Sequence, residues 1–137
     1  MIRRRGTSRS GVAAVELAVL VPFLVLIFVI GVDWSRIFYY SIIVDNAARN
    51  GAIWACDPYS TVKSTYPDIT SAALADASDL NPTPSVTSAT GTDASGNAYV
   101  ECTVTYNFKT VSNFPLVPSS TTITRTVRMY SEVNVPR

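Results

Sequence analysis

Histidine is absent from the sequence, and cysteine occurs only twice, at Cys56 and Cys102. Without an imidazole there is no His-based triad and no imidazole metal site, and two distant thiols make no metal cluster. A glycine-rich phosphate loop and a G-x-S-x-G turn are also missing. The acids are scattered singly, so an enzyme would have to rely on carboxylates alone in a very small domain. The chain therefore reads as a non-enzyme with no cofactor. Charge is scarce too: 15% of the 137 residues are charged and 47% are apolar, which fits one small domain on one anchor.

The scarcity of charge is sharpest near the N-terminus, where Leu17 to Val32 carries no charged side chain. Counting back through Val12, the apolar run is broken by one carboxylate, Glu16. A helix rises about 1.5 Å per residue, so a run of this length crosses a hydrocarbon core roughly 30 Å thick. A carboxylate in such a run is costly in lipid and marks a functional position. Ahead of the run, residues 1–11 form a basic leader with Arg3, Arg4, Arg5 and Arg9 and no acid, whereas Asp33 follows the run directly. This asymmetry predicts a cytoplasmic N-terminus, a transmembrane helix over 12–32 and export of everything beyond it. A cleaved signal peptide fits poorly, because its apolar region would run about 7 to 15 residues and end in a small-x-small site. Here Gly31-Val32-Asp33-Trp34-Ser35-Arg36 lacks that pattern.

Gly11-Val12-Ala13-Ala14-Val15-Glu16, behind a basic leader and ahead of an apolar helix, resembles the prepilin peptidase site of type IV pilin-like proteins. More narrowly, the run from Ala13 to Tyr40 followed by Asp45-Asn46-Ala47-Ala48-Arg49-Asn50-Gly51-Ala52 resembles the TadE-like family, pseudopilins of the tight-adherence (Flp) pilus. The resemblance is detailed over Arg4 to Ala55 and architectural afterwards. It implies cleavage between Gly11 and Val12, with Glu16 as the fifth residue of the mature chain. Leu17 departs from the family, whose Flp-type sites usually carry an aromatic residue there. The resemblance implies a prepilin peptidase, other pilin or pseudopilin subunits and an inner-membrane assembly platform as partners.

The same residues have a physical reading. Cutting after Gly11 removes all four leader arginines and creates an α-amine at Val12, one helical turn from Glu16. The carboxylate also faces the unpaired N–H groups and positive end of the helix, and in a filament it could pair with a neighbour's Val12 amine. The remaining chain has seven basic residues against ten acids, a net charge that argues against nucleic acid as a partner. Pro22 removes the N–H that would bond to the Ala18 carbonyl and predicts a kink.

The helix is expected to continue past the membrane over 33–56, which holds one glycine and no proline. Trp34, Ile37, Phe38, Val44 and Ala48 recur at helical spacing. Asp33 and Arg36, and Asp45 and Arg49, are placed to pair along its surface. Ala47, Gly51 and Ala55 form a small-residue stripe against which either the chain's own sheet or a neighbouring helix can pack. Trp34, Phe38, Tyr39 and Tyr40 read as an aromatic belt where the helix leaves the bilayer.

An α+β domain is expected over 57–137. Asp57-Pro58 breaks the helix, a loop runs through Thr65, and Tyr66-Pro67-Asp68 opens a second helix with proline in its first turn. Ile69, Ala73, Ala77 and Leu80 mark its buried stripe, and Asn81-Pro82 ends it. Tyr99 to Phe108 alternates, with Val100, Cys102, Val104, Tyr106 and Phe108 on one face. Ser85 to Thr90 would pair with it through a turn at 92–97, and residues 113–118, with two prolines, form a loop. Thr121 to Glu132 makes the third antiparallel strand, with Ile123, Val127 and Met129 on one side interrupted by Arg125. A Cys56–Cys102 disulfide is expected on an oxidising side of the membrane, closing about 45 residues and contributing roughly 3 to 4 kcal/mol.

Two roles compete on this reading. One is a minor pilin or pseudopilin; the other is a permanently anchored exported module that binds a ligand or wall component through its strand-connecting loops. The Gly11 and Glu16 spacing serves only the first. The major Flp pilin would be much shorter, and type II secretion pseudopilins usually begin the mature chain with phenylalanine or another methylated residue, which Val12 fits poorly.

Overall fold

A computed structural model describes residues 10–110 and 119–131. The expectations placed on the leader arginines, on the loop at 113–118 and on Glu132 lie outside these residues. The elements run in the order α1 (Ser10–Cys56), α2 (Ser60–Lys63), α3 (Ile69–Leu74), β1 (Ser85–Thr92), β2 (Ala98–Lys109) and β3 (Ser120–Tyr130). The fold is α+β, a long N-terminal helix with a three-stranded antiparallel sheet, as the periodicity predicts.

Helix α1 is 47 residues long, roughly 70 Å at the standard rise, and Pro22 lies inside it without ending it. Its two halves behave differently. From Gly11 to Val25 every residue is exposed, whereas Val44, Ala47, Ala48, Gly51 and Ala52 are buried. The stretch to Val25 projects from the domain; the second half is the domain's central element.

The sheet has the order β1-β2-β3. Pairing sets Cys102 opposite Val127, Tyr106 opposite Ile123 and Val100 opposite Met129, so one face gathers the apolar residues of both strands. That face covers α1, and the predicted alternation along β2 is realised, with Val100, Cys102, Val104, Tyr106 and Phe108 all buried. On the opposite face the register is held by side-chain pairs: Thr103 with Thr126 at 2.7 Å, Thr105 with Thr124 at 3.2 Å, Thr122 to Asn107 at 2.8 Å and Arg128 to Glu101 at 2.7 Å. Such cross-strand pairs contribute about 0.2–1 kcal/mol each and fix which face turns inward.

Five expectations are corrected. The second helix is only Ile69–Leu74, and a further helical turn, Ser60–Lys63, occupies the expected loop. Pro67 stands outside the helix; Asp68 is the N-cap, its carboxylate accepting from the Ser71 N–H at 2.7 Å while the Ser71 hydroxyl accepts from the Asp68 N–H. These bonds hold the Asp68 carboxyl below its ordinary pKa, the Ser71 backbone N–H being the main cause. Even so, Ala73, Ala77 and Leu80 are buried as the stripe predicts, because the turns after Leu74 keep them facing the core.

Tyr40 does not belong to an aromatic belt. Its ring packs 4.9 Å from Phe108 and 5.5 Å from Tyr106, centroid to centroid, inside the domain. Trp34 and Phe38, though at helical spacing with Ile37, Val44 and Ala48, point away from the core and stay exposed, at 44% and 64%.

Cys102 and Cys56 are not joined. The Cys102 sulfur lies against Gly51, while the Cys56 thiol donates to the Ile53 carbonyl at 3.2 Å. The strand crosses α1 more than a turn before its end, so strand and helix meet at the wrong level for a bridge. Burial pushes the Cys102 thiol pKa up, which suppresses the reactive thiolate.

Arg125 is opposite Val104 on edge strand β3 and is exposed, so its edge position explains how a cation stands among Ile123 and Val127. It borders a shallow cleft of about 370 Å³ with Phe38, Ser41, Ile42 and Asp45.

The stripe at Ala47, Gly51 and Ala55 packs within the chain. Gly51 is where this is tightest: a Cβ there would sit 2.5 Å from the Cys102 sulfur and 3.1 Å from the Ala73 Cβ. In an exposed helix, Gly→Ala is worth about 1 kcal/mol of stabilisation. Here overpacking, at roughly 1–3 kcal/mol, opposes and outweighs it. Gly51→Ala is therefore expected to lower the denaturant midpoint, and adding Cys102→Ala to restore part of it. In a double-mutant cycle the two should couple by about 0.5–3 kcal/mol, and additivity would refute the contact.

Candidate functional site: the N-terminal helix

The residues singled out in the sequence separate into two groups along α1. Gly11, Val12, Glu16, Leu17 and Pro22 lie on the half that projects from the domain. A Cβ on Gly11 would meet nothing within 4 Å, and Val12, Val15, Leu17 and Val19 are 59–71% exposed. This part of the helix is apolar all round and polar on no side, a pattern that calls for lipid or other apolar helices around it. It is the one segment among the described residues long and apolar enough to cross a membrane by length and composition. It can anchor the chain by a single pass.

Glu16 is the exception within this segment. No ion pair or side-chain hydrogen bond is made by its carboxylate among the described residues, so the folded chain leaves it available to an outside group. The Val12 backbone lies one turn earlier on the same helix.

Ala47 and Gly51 belong to the second group, with Asn46 and Arg49 beside them. Arg49 donates to the Asp45 carboxylate at 3.0 Å, the predicted i,i+4 pair. Asp33 and Arg36 also approach, at 3.8 Å. Here the sequence understated the case: Asp33 is 2% exposed, and the Arg36 guanidinium also stands over the Phe108 ring at 5.1 Å. Two charged groups and two aromatic rings, Tyr40 and Phe108, thus fix the point at which the bare helix enters the domain. Nothing in the local sequence marks Phe108 as their partner, since it is some seventy positions away.

Residues 11–52 match the family model of TadE-like protein. Over this helix the chain is similar to the TadE-like family. Searches of curated proteins and of solved structures give no match. The matched span ends at Ala52. It therefore unites both groups of α1: the exposed apolar half with Glu16, and the buried half whose alanines and glycine receive the sheet. The sheet lies outside the match, consistent with strands that carry no motif of their own.

The remaining polar contacts are structural. Trp54 donates to the Tyr66 carbonyl at 3.1 Å and Asn50 to Asp76 at 2.9 Å, tying the segment after α1 back onto it. Sequence reasoning missed both. The one available signal was the spacing of Asp68 and Ser71, a capping pattern that places the α3 start and so brings Asp76 back over Asn50. No group of three or more potential metal ligands occurs among the described residues.

Proposed function

We propose that this chain is a minor pilin or pseudopilin of a tight-adherence (Flp-type) pilus machine, with a structural rather than catalytic role. It is inserted with its N-terminus in the cytoplasm and its domain exported across the inner membrane. A prepilin peptidase cuts it after Gly11, and it then joins other pilin or pseudopilin subunits at the assembly platform to support pilus assembly and surface attachment. The observation that carries this reading is the coincidence of the TadE-like match with an exposed apolar helix bearing a lone carboxylate near its start. In such an assembly the helix exchanges lipid for neighbouring helices, and Glu16 meets the amine that cleavage creates at Val12. Pro22, which removes one internal hydrogen bond, gives that helix a local weak point for leaving the bilayer.

Sequencing the N-terminus of protein extracted from membranes of cells making the cognate peptidase tests this. A start at Val12 is expected. A start at Met1 would reduce the apolar run to a plain anchor and favour the permanently anchored binding module.

A further inference from the structure

At the end of α1 farthest from the apolar segment, a cleft of about 390 Å³ opens between α1, α2 and α3. Its wall includes Asn50, Trp54, Asp57, Ser60, Tyr66 and Asp76, and no Lys or Arg among the described residues lines it. The walls are held from behind. The Trp54 indole is fixed by its bond to the Tyr66 carbonyl, Asp76 Oδ2 accepts from Asn50, and Asp57 Oδ1 accepts from the Tyr59 N–H at 2.9 Å. Each carboxylate so keeps an oxygen for an outside donor. Ser60 is 6% exposed, yet its hydroxyl, which borders the cleft, makes no hydrogen bond to another described residue. Lys63, on α2, is turned onto the Tyr59 ring at 4.8 Å.

We propose that this cleft binds an organic cation: an ammonium or guanidinium group on an apolar stem. Two carboxylates supply charge and acceptors, the Trp54 and Tyr66 rings supply π faces for the cation and cover for its stem, and the Ser60 hydroxyl at the cleft wall supplies one more acceptor. An anion would be repelled by Asp57 and Asp76, and a neutral apolar group would leave Ser60 and both carboxylate oxygens unpaired at a cost. The site is separate from Glu16 and does not depend on the pilus reading.

The test uses the full chain in detergent micelles with Trp34→Phe, which leaves Trp54 as the only indole. Its fluorescence is followed while adding N-acetyl-lysine methylamide, N-acetyl-arginine methylamide, 1,5-diaminopentane, or the uncharged N-acetyl-norleucine methylamide. Saturable responses to the cations and none to norleucine are expected. Asp76→Asn, which keeps the shape and can still accept from Asn50, should weaken binding by about tenfold, and Asp57→Asn similarly. Near-UV circular dichroism reports whether each variant is folded. Tighter binding of the capped amino acids than of the diamine would assign the cation to a protein side chain, and the reverse to a free polyamine. A norleucine response equal to that of lysine, cation binding unmoved in both folded Asp variants, or no saturable response to any cation would overturn the proposal.

Discussion

Phe108→Ala is expected to destabilise the α+β domain by about 3–5 kcal/mol while the chain stays in the membrane fraction. Phe108 is 1% exposed, and its ring stands against Tyr40 at 4.9 Å and beneath the Arg36 guanidinium at 5.1 Å. Deleting a buried phenylalanine side chain costs about 3–5 kcal/mol through lost transfer energy and the cavity left behind. Domains of this kind are stable by only about 5–15 kcal/mol, so a large share of that margin is removed. The loss should exceed the methylene count, because the cavity opens where Asp33 is already buried beside Arg36. Water entering there would weaken the pair. The apolar stretch of α1 from Gly11 to Val25 is exposed throughout, so membrane retention should not change. Denaturant midpoints and limited proteolysis of the detergent-solubilised chain measure the effect. Phe38→Ala, at a 64% exposed position on α1, is the control and should stay within about 0.5 kcal/mol of the parent. A Phe108→Ala chain within 1 kcal/mol of the parent would mean the helix and sheet are not locked at this point.

The second large effect concerns assembly. On the proposed reading, Glu16→Ala is inserted and cut normally but does not enter fibres. The carboxylate costs free energy in lipid, about 2.5–3.5 kcal/mol at a helix centre on insertion scales and less near the boundary, so its removal cannot impair anchoring. On the proposed reading its value lies in pairing with the Val12 amine of a neighbour. Removing one member of a buried ion pair costs roughly 3–5 kcal/mol, which exceeds a hundredfold in each subunit contact. Glu16→Gln separates charge from shape: it retains the volume and hydrogen bonding but not the pairing, and should also fail. The readouts are the membrane fraction, the N-terminal residue of the extracted protein and the amount in sheared fibres. Wild-type fibre incorporation by Glu16→Ala would refute the pairing role.

Part of this architecture was legible in the residues themselves. Seamless hydropathy from Leu17 to Val32, the lone carboxylate at Glu16 and the absence of proline from 33 to 56 determine one long helix with an apolar first half. Period-two alternation from Val100 to Phe108 determines a half-buried strand and its inward face, because side chains along a strand must alternate. These are local signals that need no partner to be read. The tertiary structure alone decided which faces meet. Tyr40 left the expected belt because β2 delivers Phe108 and Tyr106 to its level, while Phe38, two residues earlier, faces away. Cys102 met Gly51 rather than Cys56 because the helix crossing is set by how closely alanine and glycine let the sheet approach. The cleft around Trp54 and Asp76 depends on the α3 cap at Asp68, which turns the chain back onto α1. Periodicity and hydropathy report what a segment buries; what it is buried against is a property of the packed whole.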